Sequence, residues 1–220
     1  MIKKFSFWVA LLVLLSLTPI TIVRSPLFVF PPESPTVLMN LIQRALGLVA
    51  FTLLFWQIML GAFMEKWTKK FGGWVFRFHI IEGVFIYLLV VLHPVFFMLY
   101  NYFYGRGFDP FYVFTQVCVL CRPRELYYTL GRVSFWLVNI VIYTVIFRSA
   151  TPYLRANWRK LHVINYVIFL LVGIHGFSSG TDFRVMPFFA FAVVAYLIVI
   201  YRIILKLPSL FVAYKNWMKS

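Results

Sequence analysis

The chain has 220 residues, a length that suits one domain. Hydrophobic residues make up 63%, aromatic residues 21% and charged residues 12%; a soluble protein of this size could not hide so much apolar surface, so lipid is the expected solvent. The net charge of +15 arrives as short basic clusters between long apolar runs, which argues against a nucleic-acid-binding patch and suits the loops of a membrane protein.

Six stretches reach the roughly 20 mostly apolar residues that a membrane-spanning helix needs: 5–23, 37–64, 74–100, 130–148, 160–178 and 187–206. The predicted fold is an all-α, six-helix membrane bundle, one domain over 1–220. Lys3 and Lys4 before the first apolar run resemble a signal peptide, but no small-x-small cleavage site follows at Leu17-Thr18-Pro19-Ile20-Thr21. A retained span is expected. Pro26, Pro31, Pro32 and Pro35 fill the first connection, and Gly72-Gly73 precedes the third span. Residues 101–129 form the longest loop. Thr151-Pro152 reads as an N-cap followed by a first-turn proline, so the fifth helix is expected to begin before it enters lipid. Pro187 opens the sixth helix and Pro208 closes it. The tail 209–220 mixes Leu210, Phe211, Val212 and Trp217 with Lys215 and Lys219, the pattern of a short amphipathic helix on the inner leaflet.

Lysines and arginines set the orientation. With the N-terminus inside, 14 fall on the inner side and 7 on the outer, and every lysine is inside. Both termini are therefore expected to be cytoplasmic.

All four histidines lie in two spans of the same polarity: His79 and His93 in the third, fourteen apart, and His162 and His175 in the fifth, thirteen apart. Ionisable groups inside lipid are rare and usually functional. Parallel spans put like ends at like depth, so His79 should face His162 near the inner side and His93 should face His175 near the outer side. At ~1.5 Å rise per residue the two levels lie about 20 Å apart, inside a hydrocarbon core of ~30 Å. That spacing suits two stacked haems of b type, each iron held by two imidazoles. A ligating ring also keeps its second N–H for a helix carbonyl. With both axial positions filled, outer-sphere electron transfer is the chemistry left. The facing test carries a tension. Fourteen residues return to within about 40° of the starting face, whereas thirteen land about 140° away. The fifth helix must bend or rewind, and Gly173 and Gly176 beside His175 offer places for it.

Around the histidines, Arg77, Arg159 and Lys160 at the inner level and Arg44 at the outer level are candidates for pairing with haem propionates. Gly83 and Gly176, close to ligands, would let a flat macrocycle approach the backbone. Glu82, one turn beyond His79, is expected to pair with a neighbouring arginine. Cys118 and Cys121, too few for a disulfide framework, form a C-x-x-C in the outer loop, either a redox pair or two small apolar residues in an interfacial helix.

Residues 40–180 resemble the ferric reductase-like transmembrane domain family, which includes ferric reductases, the membrane part of NADPH oxidases and the haem-binding subunit of the methionine-sulfoxide reductase system. The resemblance rests on Arg77-Phe78-His79 with Gly83, on His93-Pro94, and on Trp158-Arg159-Lys160-Leu161-His162 with Tyr166. It implies electron flow from a cytoplasmic donor through inner and outer haems to an extracytoplasmic acceptor: ferric iron, oxygen or a redox protein. It also implies a prokaryotic plasma membrane. These residues hold no glycine-rich nucleotide loop, so the donor is expected to be a separate reductase carrying FAD or FMN, or a membrane quinol. Two alternatives stand beside this: a quinol-coupled cytochrome b subunit of a larger complex, and a non-redox scaffold or transporter.

Overall fold

A computed structural model describes residues 2–217, with the side chains of 4–206. Among these residues nine α-helices follow in order: α1 (Ile2–Arg24), α2 (Pro35–Ala62), α3 (Met64–Phe71), α4 (Trp74–Asn101), α5 (Pro110–Phe114), α6 (Pro123–Ile146), α7 (Pro152–His162), α8 (Ile164–Ser179) and α9 (Phe188–Trp217). No strand occurs among the described residues. Among the described residues six helical segments are long and apolar enough to cross a membrane, so the chain is a multi-pass membrane protein by length and composition.

Local chemistry explains the boundaries. Ser34 is extended (φ −154°, ψ 160°), and its hydroxyl accepts the Val37 N–H at 3.3 Å, while Pro35 occupies the first turn of α2. Thr151 and Pro152 do the same for α7, with Leu154 N–H donating to Thr151 Oγ1 at 3.1 Å. The expected early start of the fifth helix is thus present. Residues 63–71 depart from expectation: the second span ends at Ala62, and α3 forms a separate helix capped by Gly72 at φ 101°. The fourth span starts seven residues earlier than expected, because Pro123 can open a helix at its first turn. Pro208 does not close the sixth helix, since α9 continues to Trp217. The amphipathic reading of 209–220 falls on side chains outside the described residues.

Helices α1, α4 and α8 run one way, and α2, α6 and α9 the other. We call the end where α1 begins the near end and the opposite one the far end. Helix α2 is the axis of the bundle. On one side Leu53, Trp56 and Leu60 pack with Phe7 and Leu11 of α1 and with Val75, Ile86 and Leu89 of α4. On the other, Phe51 and Phe55 meet Phe169 of α8 and Phe188, Ala192 and Val199 of α9. Phe7 is the hub of the near-end aromatic group, edge-on to Trp56 at 5.3 Å and to Trp74 at 5.0 Å. Outward positions of α4 such as Ile81 and Val84 are 68% and 65% exposed, an apolar surface that suits lipid.

Arg44 binds Asp182 through two bonds, Nε to Oδ2 at 2.6 Å and Nη2 to Oδ1 at 2.7 Å. The same guanidinium donates to Ser25 Oγ at 2.6 Å and to the Leu27 carbonyl at 3.1 Å. It is therefore a fastener joining α2 to the α1–α2 and α8–α9 connections, with side chains 9% and 4% exposed. Removing one member of such a pair leaves a buried charge and costs about 3–5 kcal/mol. Asp182→Ala should lower stability by that amount in unfolding of the detergent-solubilised protein. The double substitution Arg44→Met with Asp182→Leu should recover most of it.

Candidate functional site

Five helices, α2, α4, α6, α7 and α8, build the site. The tightest helix pairings are α2 with α4 and α6 with α8. Between these two pairs, α4 meets α7 and α8 across ring contacts of their histidines. His79 and His162 face each other near one end with ring centres 6.3 Å apart, and His93 and His175 toward the other with centres 6.5 Å apart. The structure brings together the pairs expected from the sequence.

The phase problem of the fifth span is solved at Val163. Helix α7 ends on His162, and α8 begins at Ile164. Across the junction, Val163 N–H bonds to the Lys160 carbonyl at 3.2 Å and Tyr166 N–H to the Val163 carbonyl at 3.0 Å. These are three-residue spacings, and such a turn rotates about 120° per residue rather than ~100°. The extra rotation closes part of the offset and points both rings at α4. The rewinding thus lies beside His162, not at the glycines beside His175.

The far-end rings are seated by one repeated device. His93 Nδ1 lies 2.9 Å from the Gln43 carbonyl of α2, and His175 Nδ1 lies 2.8 Å from the Tyr127 carbonyl of α6. In each case the residue four positions on is glycine, Gly47 or Gly131, and a Cβ there would stand 2.9 Å from the ring's Cε1. A helical carbonyl has a second lone pair beyond its own N–H bond. The missing side chain lets an imidazole N–H reach that lone pair, leaving Nε2 as the nitrogen available to a partner.

The near end is seated more loosely. Gly61 of α2 lies fourteen residues after Gly47, matching the interval between the α4 histidines, and a Cβ there would stand 3.4 Å from His79 Cε1. His79 Nδ1 is buried without a hydrogen-bond partner. His162 packs against Trp158, ring centres 6.3 Å apart, and Asn165 Nδ2 lies 3.4 Å from its Nε2. Arg148 and Arg159 lie over the Trp158 ring at 5.9 and 5.4 Å. Sequence reasoning missed Gly47, Gly61 and Gly131. The signal was there for two of them, a glycine interval in the second span equal to the histidine interval in the third.

Several expectations are corrected. Arg44 is fully engaged with Asp182, so it is a structural tie and has no guanidinium edge left for a propionate. Gly83 accommodates Gln57, whose Nε2 would lie 2.9 Å from an added Cβ and which donates to the His79 carbonyl at 2.8 Å. Gly176 accommodates the Phe183 ring, 2.5 Å from an added Cβ. Both glycines admit protein side chains rather than a macrocycle. Glu82 has no arginine partner: both its oxygens are buried and unbonded, while Arg77 is exposed. Arg159 and Lys160 are exposed as well, and with Arg77 they form no ion pair among the described residues.

Glu82 lines a cleft of about 480 Å³ between α1, α2 and α4, with Leu11, Thr18, Leu53, Phe78 and Phe85 among its walls. The Thr18 hydroxyl is also buried and unbonded. At the far end, Cys118 and Cys121 are joined by a disulfide. Arg132 of α6, 5% exposed, donates to the Val113 and Gln116 carbonyls at 3.3 and 2.7 Å and so holds the connecting segment down. Tyr112 there donates to Glu125 at 2.9 Å, and burial followed by that bond raises its phenol above the ordinary range.

No cluster of three or more His, Cys, Asp or Glu side chains that could hold a metal ion occurs among the described residues. Each histidine pair offers two nitrogens, half of what a tetrahedral metal site requires. Comparison with family models, curated proteins and solved structures gives no match. If the glycine seat positions its ring, Gly131→Ala should shift the nitrogen-15 signals of His175 in the labelled chain and leave those of His79 and His162 in place.

Proposed function

We propose that the chain is a transmembrane electron carrier, with two haem b groups held by His79 with His162 and by His93 with His175. The single observation that carries this reading is the pair of opposed imidazoles at two levels, with ring centres 6.3 and 6.5 Å apart. Imidazole nitrogens bound at about 2 Å on opposite faces of one atom put their ring centres roughly 6 Å apart. Only two protein ligands serve each level, and a porphyrin brings the remaining four nitrogens. When bound, the group would supply one-electron chemistry.

The chain's own residues hold and orient. The Gln43 and Tyr127 carbonyls fix the far-end rings and raise their basicity as ligands. Exposed Arg77, Arg159 and Lys160 remain free to meet propionates at the near end. The flanking aromatic and aliphatic side chains exclude water. The basic clusters favour a cytoplasmic near end, so electrons would pass outward from His79 and His162 to His93 and His175. This agrees with the resemblance to the ferric reductase-like transmembrane domain family.

A second reading concerns the donor. The lipid-facing cleft at Glu82 favours a membrane quinol over a soluble reductase: it joins apolar walls to a buried carboxylate and hydroxyl without partners. Quinol oxidation releases two electrons and two protons, and Glu82 is placed to receive one of the protons.

The full chain purified after expression with ample haem should show a Soret band and two haems per chain. His93→Ala and His175→Ala should each remove one haem, and His79→Ala and His162→Ala the other. A colourless protein overturns the reading in favour of a non-redox scaffold or transporter. Glu82→Gln should keep both haems and slow their reduction by a short-chain quinol, while chemical reduction stays unchanged; an unaltered quinol rate removes the cleft from the donor path.

A further inference from the structure

We propose that the Cys118–Cys121 disulfide is a second redox site, which takes electrons from the far-end histidine level and passes them to a disulfide on an extracytoplasmic protein. This rests on the electron-transfer reading above and names the acceptor chemistry for it. Three observations carry it.

The first is attachment. Cys118 is bonded to α6 twice, its N–H donating to Thr129 Oγ1 at 3.0 Å and its carbonyl accepting from the same hydroxyl at 3.2 Å. Thr129 lies two residues from Tyr127, whose carbonyl holds His175 Nδ1, and the Tyr128 ring between them lies 6.5 Å from the His175 ring. A short run of bonds and hydrogen bonds therefore connects the sulfur-bearing segment to the imidazole. Arg132 clasps Gln116 just before it, so the segment is fixed to the turn of α6 that seats the histidine.

The second is access. The segment lies outside the membrane-spanning helices. Cys121 is exposed, and Leu120 between the cysteines is 99% exposed. Thiol–disulfide exchange needs this approach to sulfur.

The third is the weakness of a purely structural role. A disulfide stabilises by restricting the unfolded chain, and more so for longer loops. This one spans three residues and restricts very little. The same segment is already held by Thr129 and Arg132. A disulfide also belongs to an oxidising compartment, consistent with a far end on the extracytoplasmic side.

The step balances. Two electrons would arrive one at a time by way of the His93 and His175 level, the S–S bond would break, and two protons from adjacent water would complete the thiols. The dithiol then attacks a partner disulfide, forms a mixed disulfide and resolves it. Both electrons and both protons leave with the partner, and the Cys118–Cys121 bond is restored.

The test uses the full chain in vesicles that enclose dithionite, with a membrane-impermeant maleimide outside. Haem-loaded chains whose far end faces outward should gain two maleimide adducts, at Cys118 and Cys121, as the haem band becomes reduced. The haem-free wild-type chain should gain none, and so should His175→Ala. Two outcomes overturn the proposal: reduced haem with no adducts, or equal labelling of haem-loaded and haem-free chains. In both, a normal two-haem spectrum leaves the electron-carrier reading standing. A chain that binds no haem under loading conditions overturns both.

Discussion

A hydrogen bond from an imidazole to the carbonyl of a neighbouring helix governs the architecture of the candidate centre. An N–H inside lipid has no water to turn to, and the two far-end rings turn to carbonyls already used by their own helices. Gly47 and Gly131 expose those carbonyls, so α2 and α6 become parts of the centre although neither supplies a candidate ligand. The pairing of α2 with α4 and of α6 with α8 follows from it. Each far-end ring is gripped from behind by one helix and presented across the bundle by another.

The two levels differ in how completely they are satisfied. Both far-end rings have a carbonyl partner. At the near level His79 Nδ1 has no partner, and the Glu82 carboxylate one turn on is likewise buried and unbonded. Buried polar atoms without partners carry a free-energy cost, and they mark places where a bound molecule or a small movement brings relief.

Much of this was legible in the residues. Long apolar runs located the six spans, because lipid imposes a simple length rule. The histidine pairing followed because two parallel helices preserve depth. What escaped reading depended on contacts between distant positions. Arg44 looked like an unpaired cation inside a span, since its partner Asp182 lies 138 residues away. Gly83 and Gly176 looked like room for a ligand, but spacing does not say which neighbour fills a gap. The rewinding at Val163 was demanded by the phase of the histidines, yet its place was hidden because the run from Pro152 to Ser179 carries no internal proline. The separation of α3 was missed because the apolar run across Ala62 and Phe63 masks a change of direction.

Helix α2 has the character of a ruler. Its two notches, at Gly47 and Gly61, stand about 21 Å apart at ~1.5 Å per residue, while Phe51 and Phe55 on the adjoining stripe pack against α8 and α9. One residue inserted between the notches would swing one of them about 100° out of line with its histidine. The length of the helix between those marks is therefore held to a single value.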